Sequence, residues 1–181
     1  MSQAILTVIG KDKPGIIAKV TGILFKTGCN LEDISMSVLQ GEFAMIMIVD
    51  APKSQLKGIK QSVSTAAKRW HLAIDWKSAV KKLKRGEKHE KGTVPYLVSI
   101  YGKDRHGIVY QTSALLAKNQ LNITDLNCKI LGQGQKTVYL MLLEVDIPHS
   151  FSIPLLRGAL DRLARKLKVS IALKPVDKIE L

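Results

Sequence analysis

The sequence predicts an α+β protein made of two βαββαβ units in tandem, each an antiparallel sheet with its helices on one face. Three observations predict this fold class: the chain repeats itself, each repeat gives the same order of apolar patterns, and a basic segment separates the repeats. The repeat is considered first, because its period sets the organisation of the whole chain.

The repeat is a shift of 92 residues, which places Gly10 on Gly102. Nine of the 27 residues from Gly10 to Met36 are identical after this shift, where ordinary composition gives about two by chance. Both copies contain Gly-Lys-Asp-x-x-Gly-Ile. The chain is therefore a duplication of a unit of about 80 residues, which is large enough to fold around one core.

The first half of the unit is predicted to be a strand followed by a helix. Residues 4–9 are apolar and partly β-branched, as in a buried strand, and this run ends at Gly10. Apolar residues then recur at helical spacing from Ile16 to Leu24. Gly28 follows, where a left-handed residue commonly closes a helix.

The second half is predicted to be two strands, a helix and a last strand. Residues 30–39 alternate, residues 43–49 are apolar on both faces like a central strand, a helix follows Pro52, and residues 72–76 alternate again. The second copy repeats this order, with a strand at 96–101, a helix at 107–119, strands at 122–131 and 137–145, a helix over 156–167 and a strand at 169–173. This order is the ferredoxin-like arrangement, in which right-handed crossovers place both helices on one sheet face.

The central strands are apolar on both faces, so one sheet face would be an exposed apolar patch on an isolated unit. We expect this face to be covered, either by the other copy or by a second chain. The two arrangements are not distinguished by the sequence.

Charge and hydropathy divide the chain into residues 1–78, a basic linker at 79–93 and residues 94–181. The net charge is +13, and residues 77–95 carry seven basic and two acidic side chains. Such a run indicates a solvated linker or a contact for an anionic partner. No run approaches the ~20 apolar residues of a membrane span, and the first residues lack a signal-peptide pattern. A cytoplasmic location is expected, with no membrane contact.

The repeated motif lies between the first strand and the first helix. Glycine allows a sharp turn there, and a helix N-terminus offers free N–H groups and partial positive charge to a small carboxylate. Asp12 and Asp104 could accept from an ammonium group or could cap the helix. Asn30 and Asn122 lie 18 residues later, after a helix that returns the chain alongside the first strand. They could bind both charges of an amino acid, or could be left-handed turn residues.

Gly-Lys-Asp-Lys-Pro-Gly-Ile-Ile, followed by a helix and Gly-Cys-Asn-Leu-Glu-Asp, resembles the ACT domain, a module that senses small molecules. The second copy fits with Gly-Lys-Asp-Arg-His-Gly-Ile-Val and Leu-Asn-Ile-Thr-Asp. The resemblance covers nearly the whole chain. A tandem of two such domains resembles the glycine cleavage system transcriptional repressor group.

The resemblance implies that a small amino acid binds where ACT domains pair, often bridging two copies. Matching positions give one ligand-binding set of Asp12, Lys13, Pro14, Gly15, Ile16 and Asn30, and a second set of Asp104, Arg105, Gly107, Ile108 and Asn122. The second copy departs from the pattern at His106 and Gln120, which favours the first site. The expected function is an amino-acid-sensing regulator, possessing no cofactor or metal, that forms a homo-oligomer and acts on a transcription factor or enzyme, for example in glycine metabolism.

Three other functions are considered. The histidines at 71, 89, 106 and 149 have neither ligand spacing nor a catalytic grouping, so we expect no enzyme activity. Some RNA-binding domains share the βαββαβ order, but they stack bases on central-strand aromatics. Here the candidates for stacking are Phe43 and, in the second copy, Tyr96, Tyr101 and Tyr139. Direct nucleic-acid binding is therefore not expected.

The third alternative is a regulatory subunit of an amino-acid metabolic enzyme.

Residues 157–168 are predicted to form a basic helix. Its charged side is either a solvated outer face or a docking surface for an acidic partner.

Overall fold

A computed structural model of the chain describes residues 2–79, 88–132 and 137–176. The chain divides into two compact units, Met1–Gly86 and Glu87–Leu181. The predicted basic linker at 79–93 falls largely on residues 80–87, which lie outside the described residues.

The first unit has the predicted βαββαβ order. It comprises β1 (Ser2–Lys11), α1 (Ile16–Lys26), β2 (Asn30–Leu39), β3 (Glu42–Ala51), α2 (Leu56–Arg69) and β4 (Ala73–Ser78). The sheet order is β2-β3-β1-β4, and every neighbouring pair is antiparallel.

The second unit repeats this fold. It comprises β5 (Thr93–Gly102), α3 (Ile108–Lys118), β6 (Asn122–Leu131), β7 (Val138–Pro148), α4 (Ile153–Leu167) and β8 (Val169–Pro175). Its sheet order is β6-β7-β5-β8, again antiparallel throughout. The predicted α+β class and the tandem arrangement are confirmed.

Each unit has a core between one sheet face and its two helices. In the first unit, β1 and β3 place every second residue in this core, and Leu6 and Met47 are paired there and fully buried. The opposite face of the same strands is also apolar, and its Ile9 and Ile46 are each 48% exposed. The apolar character on both faces is thus as predicted, and one face remains open on the unit.

The first glycine of each motif allows two strands to approach closely. A Cβ on Gly10 would lie 2.5 Å from Leu72 Cδ2, and a Cβ on Gly102 would lie 2.9 Å from Val169 Cγ1. A side chain at Gly102 would therefore displace the start of the neighbouring edge strand β8, whereas one at Gly10 would push aside the end of the Leu72 side chain. The motif begins with glycine because the sheet is tight there.

Candidate functional site

The β1–α1 loop places the candidate residues of the first unit at one end of its sheet. Gly15 is the N-cap residue of α1 and has φ 88°, in the left-handed region that favours glycine. The helix has no side-chain cap hydrogen bond and no acidic residue in its first turn. The alternative in which Asp12 caps this helix is therefore wrong. The backbone N–H of Asp12 donates to the Gly41 carbonyl at 2.8 Å, which ties the loop to the β2–β3 turn.

The result is an open cradle, defined here as residues 12–16 around the N-terminus of α1. Asp12, Lys13, Pro14 and Gly15 are exposed, while Ile16 is buried and anchors the helix. A Cβ on Gly15 would meet no other atom within 4 Å, so the space above it is free. Uncapped N–H groups and the positive end of the helix dipole make this cradle suitable for a carboxylate.

The corresponding loop of the second unit has the same backbone geometry, but a side chain lies over its glycine. Gly107 caps α3 with φ 87°, again without a side-chain cap. However, Gln111 lies over this glycine, with its Nε2 3.2 Å from the position of an added Cβ. The repeat-equivalent residue in the first unit is Lys19, which instead lies 5.6 Å from the ring centre of Trp70. The second cradle, residues 104–108, is therefore narrower at its glycine than the first.

A cavity of about 500 Å³ adjoins the second cradle. Its lining carries four basic or titratable nitrogen side chains and one carboxylate, and consists of Lys103, Asp104, Arg105, His106, Lys166 and Leu167. The charge of this lining favours an anion. Ile108 is buried and begins α3, as Ile16 begins α1.

Asn30 and Asn122 lie at the other end of their sheets. Asn30 pairs with Asp50 on β3, and Asp50 pairs with Gln3 near the start of β1. The cradle follows Lys11 at the far end of β1, eight residue steps away, or roughly 27 Å along the strand. The helix returns the chain beside the sheet but to the opposite end, so cradle and asparagine do not meet within one unit. A single site that contains both a cradle and an asparagine therefore needs two units.

The two asparagines are exposed residues at the starts of β2 and β6. Neither has a positive φ, so the left-handed turn alternative is wrong. Both begin strands, and the Asn30 Nδ2 donates to Glu32 Oε1 at 2.7 Å. Their side chains are exposed.

A polar cluster that sequence reasoning missed lies where the chain enters β5. Asp146 is 2% exposed, and it accepts from His89 Nδ1 at 2.7 Å and from the Glu90 N–H at 2.9 Å. Lys88 Nζ lies 2.5 Å from Glu144 Oε1, and this contact is the main reason that the pKa of Glu144 is lowered. We call this segment the latch (residues 88–90). It fixes the end of the predicted linker to the second unit.

The aromatic side chains argue against base stacking. Phe43 is 1% exposed in the core, and Tyr139 is 8% exposed and donates to Cys128 Sγ at 3.0 Å. Burial, with this hydrogen bond, raises the pKa of Tyr139 well above its usual value. Tyr96 is partly buried and packs against the core, and Tyr101, 56% exposed, is the candidate that remains available on a central strand.

Two further features concern metal ions and membranes. Within residues 2–79, 88–132 and 137–176, no three His, Cys, Asp or Glu side chains lie close enough to hold a metal ion. Over the same residues, no helix combines the length and apolar character that a membrane span requires.

The family model for the ACT domain matches residues 2–77. A UPF0237 protein of Methanosarcina mazei is 39% identical over 69 residues, which cover 37% of this chain and 75% of that protein. A UPF0237 protein of Methanopyrus kandleri is 45% identical over 56 residues, which cover 31% of this chain. This match spans 62% of the Methanopyrus protein, less than two thirds of its length.

Two solved structures match nearly the whole chain. An unknown protein from Galdieria sulphuraria has a TM-score of 0.81 and 27% identity, covering 97% of this chain and 99% of that one. A structure titled "putative glycine cleavage system transcriptional repressor" has a TM-score of 0.71 and 18% identity, covering 98% of each chain. At that identity the likeness concerns the fold alone.

Proposed function

This chain belongs to the ACT domain family, and from that premise we propose that it is a regulatory protein that senses a small amino acid and signals through a protein partner. The observation that carries the proposal is the cradle of the first unit. Its left-handed Gly15 opens an uncapped helix N-terminus to solvent, with no acidic side chain in the first turn to compete for it. A carboxylate is the ligand that such a place favours.

The second half of the proposed site is Asn30. An amino acid held by its carboxylate at one cradle still presents an ammonium group, and an asparagine side-chain oxygen accepts from it. Because Asn30 lies at the opposite end of its own sheet, we propose that it comes from a second copy of the chain. Asp12 then faces the ammonium group from the cradle side.

A ligand shared by two chains acts through its preference for the paired arrangement. Binding would stabilise one pairing of the chains and so change the surface offered to a partner. This reading applies equally to a transcription factor or a metabolic enzyme as the partner. The likeness in fold to the structure titled as a glycine cleavage repressor makes glycine the first amino acid to test.

The test is calorimetry of the full chain with a panel of amino acids. Glycine has five non-hydrogen atoms, and at a ceiling of about 1.5 kcal/mol per atom its Kd is no tighter than about 3 μM. Titrations should therefore extend into the millimolar range. We expect saturable heat with at least one amino acid, and a loss of at least tenfold in affinity for the double variant Asp12→Ala and Asn30→Ala.

The matched control is the double variant Asp104→Ala and Asn122→Ala in the second unit, where Gln111 narrows the cradle. We expect this control to retain the tighter of the two sites, which is the one at the cradle of the first unit. Two results would contradict the sensing proposal. One is that no amino acid gives saturable heat, and the other is that the Asp12→Ala and Asn30→Ala variant binds with wild-type affinity.

A further inference from the structure

A groove of about 450 Å³ lies between α3 and α4 on the outer side of the second unit. Its floor is apolar and includes Leu155, which is 60% exposed although it is a large aliphatic side chain. Its rim is basic, with Lys118, Arg162 and Lys166. The described lining contains no acidic residue, and is completed by Leu115, Asn119, Ala159 and Leu163.

The core of the unit uses only part of this lining, because Leu115 and Leu163 pack in or against the core and Leu155 does not. Four leucines of α4 already pack on the sheet side and are buried, namely Leu156, Leu160, Leu163 and Leu167. Leu155, Ala159, Arg162 and Lys166 follow one another at spacings of four, three and four, which forms a second stripe beside the buried one. This stripe faces the groove and is open to solvent.

The first unit provides an internal comparison. Ile59 and Val63 of α2 are buried as Leu156 and Leu160 of α4 are, which aligns the two helices. In this alignment Gly58 stands at the position of Leu155. Three further α4 positions differ as well, with Ser62, Thr65 and Ala66 in place of Ala159, Arg162 and Leu163, whereas Arg69 keeps the charge of Lys166 and Ile23 stands at the place of Leu115. The exposed Leu155 and the Arg162 charge are therefore features of the second unit and not requirements of the fold.

Charge and shape together identify the occupant. An apolar floor with a basic rim complements a segment that carries apolar residues on one side and carboxylates beside them. A helix with anchors at i, i+4 and i+7 fits, because α4 has 15 residues and so runs for about 22 Å, or four turns. Nucleic acid would use the rim but would leave the exposed Leu155 without a partner.

We propose that the groove between α3 and α4 docks an acidic amphipathic helix of a partner protein. This proposal rests on the proposed function only in assuming that the chain has a protein partner. It specifies the chemistry of that partner. Amino-acid binding at the cradle is not required for it.

The test uses the full chain and a designed 16-residue peptide with leucines at i, i+4 and i+7 and glutamates on either side of them. Fluorescence anisotropy of the labelled peptide should show saturable binding that weakens as salt rises. The double variant Arg162→Glu and Lys166→Glu should weaken binding at least tenfold, and Leu155→Ser should weaken it several-fold. The matched control Thr65→Glu, at the equivalent place in the first unit, should stay within twofold of wild type.

Several results would overturn the proposal: no saturable binding, equal binding of a scrambled peptide of the same composition, or wild-type binding by the groove variants. Tighter binding of single-stranded RNA or of anionic vesicles through the same residues would also overturn it. Arg162 and Lys166 are charged and exposed, Leu155 is 60% exposed, and each variant's thermal unfolding is compared with wild type. Should the charge reversal unfold the chain, Arg162→Gln with Lys166→Gln carries the same test.

Calorimetry on the groove variants separates this proposal from the sensing proposal. Lys166 also lines the cavity beside the second cradle, so this calorimetry uses Leu155→Ser and Arg162→Gln, and the amino-acid heat should be unchanged in both. If peptide binding fails while amino-acid binding persists, the groove proposal alone is lost, and the reverse result removes the sensing proposal alone.

Discussion

At the scale of single residues, Gly10 and Gly102 occupy equivalent places but tolerate a side chain differently. A Cβ on Gly102 would lie 2.9 Å from Val169 Cγ1 and 3.2 Å from Val169 Cα, which belongs to the backbone of β8. A Cβ on Gly10 would meet Leu72 Cδ2, the movable end of a side chain. We expect Gly102→Ala to lower the free energy of unfolding of the second unit by about 1–3 kcal/mol, and Gly10→Ala to cost the first unit less.

Hydrogen exchange resolved by residue measures each unit separately, which is needed because two units do not have to unfold together. Each variant's loss of protection is read from the core amides of its own unit. Equal losses, or a larger loss for Gly10→Ala, would contradict the geometry.

A second residue-scale prediction compares Asp146 with Asp50. Both pair with the asparagine that begins the neighbouring strand. Asp146 accepts two hydrogen bonds from the latch, whereas Asp50 Oδ1 is buried with no hydrogen-bond partner among the described residues. We expect Asp146→Asn to destabilise its unit by about 1–3 kcal/mol and Asp50→Asn to be milder, measured by the same exchange experiment. An equal cost would contradict the role given to the latch.

Residue roles could be predicted where backbone geometry demands a residue type. Gly15 and Gly107 were expected at a turn, and both have left-handed φ. Gly28 was expected to close a helix, and it has φ 71°, while Gln120 adopts φ 56° at the equivalent place without being glycine. The role of Asp12 could not be predicted, because a short polar side chain beside a helix suits a cap and a ligand equally well.

At the scale of elements, the latch should respond to acid. The pKa of Glu144 is lowered from its usual 4.5, mainly by the Lys88 hydrogen bond. A carboxyl group whose pKa is lower in the folded protein adds stability above its unfolded pKa, and that stability is lost as pH falls through the folded value. We expect residues 88–90 to become more accessible to protease as pH falls below about 4.5, at pH values where the sheets remain intact.

Glu144→Gln is the control for this prediction. It keeps the shape of the side chain but cannot titrate. The protease accessibility of residues 88–90 should therefore change less with pH in this variant. An acid-tolerant protease and mass spectrometry of the cleaved sites make the measurement. An unchanged acid response in the variant would assign the titration to another group.

The order of elements could be predicted because each has a local pattern. Alternation gave the strands and helical spacing gave the helices, and the 92-residue repeat made each prediction twice. The latch could not be predicted from the sequence, because His89 and Asp146 are 57 residues apart and a single polar contact leaves no periodic pattern. Lys88, His89 and Glu90 were therefore assigned to a solvated linker.

At the scale of the whole molecule, the register of the sheets decides how a site can be assembled. Matching residues to the motif did not reveal that the cradle and the asparagine of one unit lie at opposite ends of its sheet, because sequence spacing does not fix which end a returning helix reaches. The paired strands do fix it. This is the physical reason for proposing a site shared by two chains.

Pairing of chains should depend on the edge strand β2, whose backbone has a free side in the unit. Ile34, Met36 and Val38 are each 44% exposed along it. Replacing Ile34 and Val38 by Lys places charges on this edge, which opposes strand-to-strand pairing. We expect analytical ultracentrifugation to show a smaller species than wild type, whereas Leu155→Lys in the groove should leave the mass unchanged. A wild-type mass for the β2 variant would place the pairing elsewhere.

The most direct measurement is an NMR titration of the nitrogen-15-labelled full chain with glycine and then with the other amino acids. Sensing at the cradle predicts saturable shifts of the Gly15 and Ile16 amides together with the side-chain amide of Asn30, all following one binding curve. No saturable shift at these three groups with any amino acid, or shifts confined to other parts of the chain, would contradict the account.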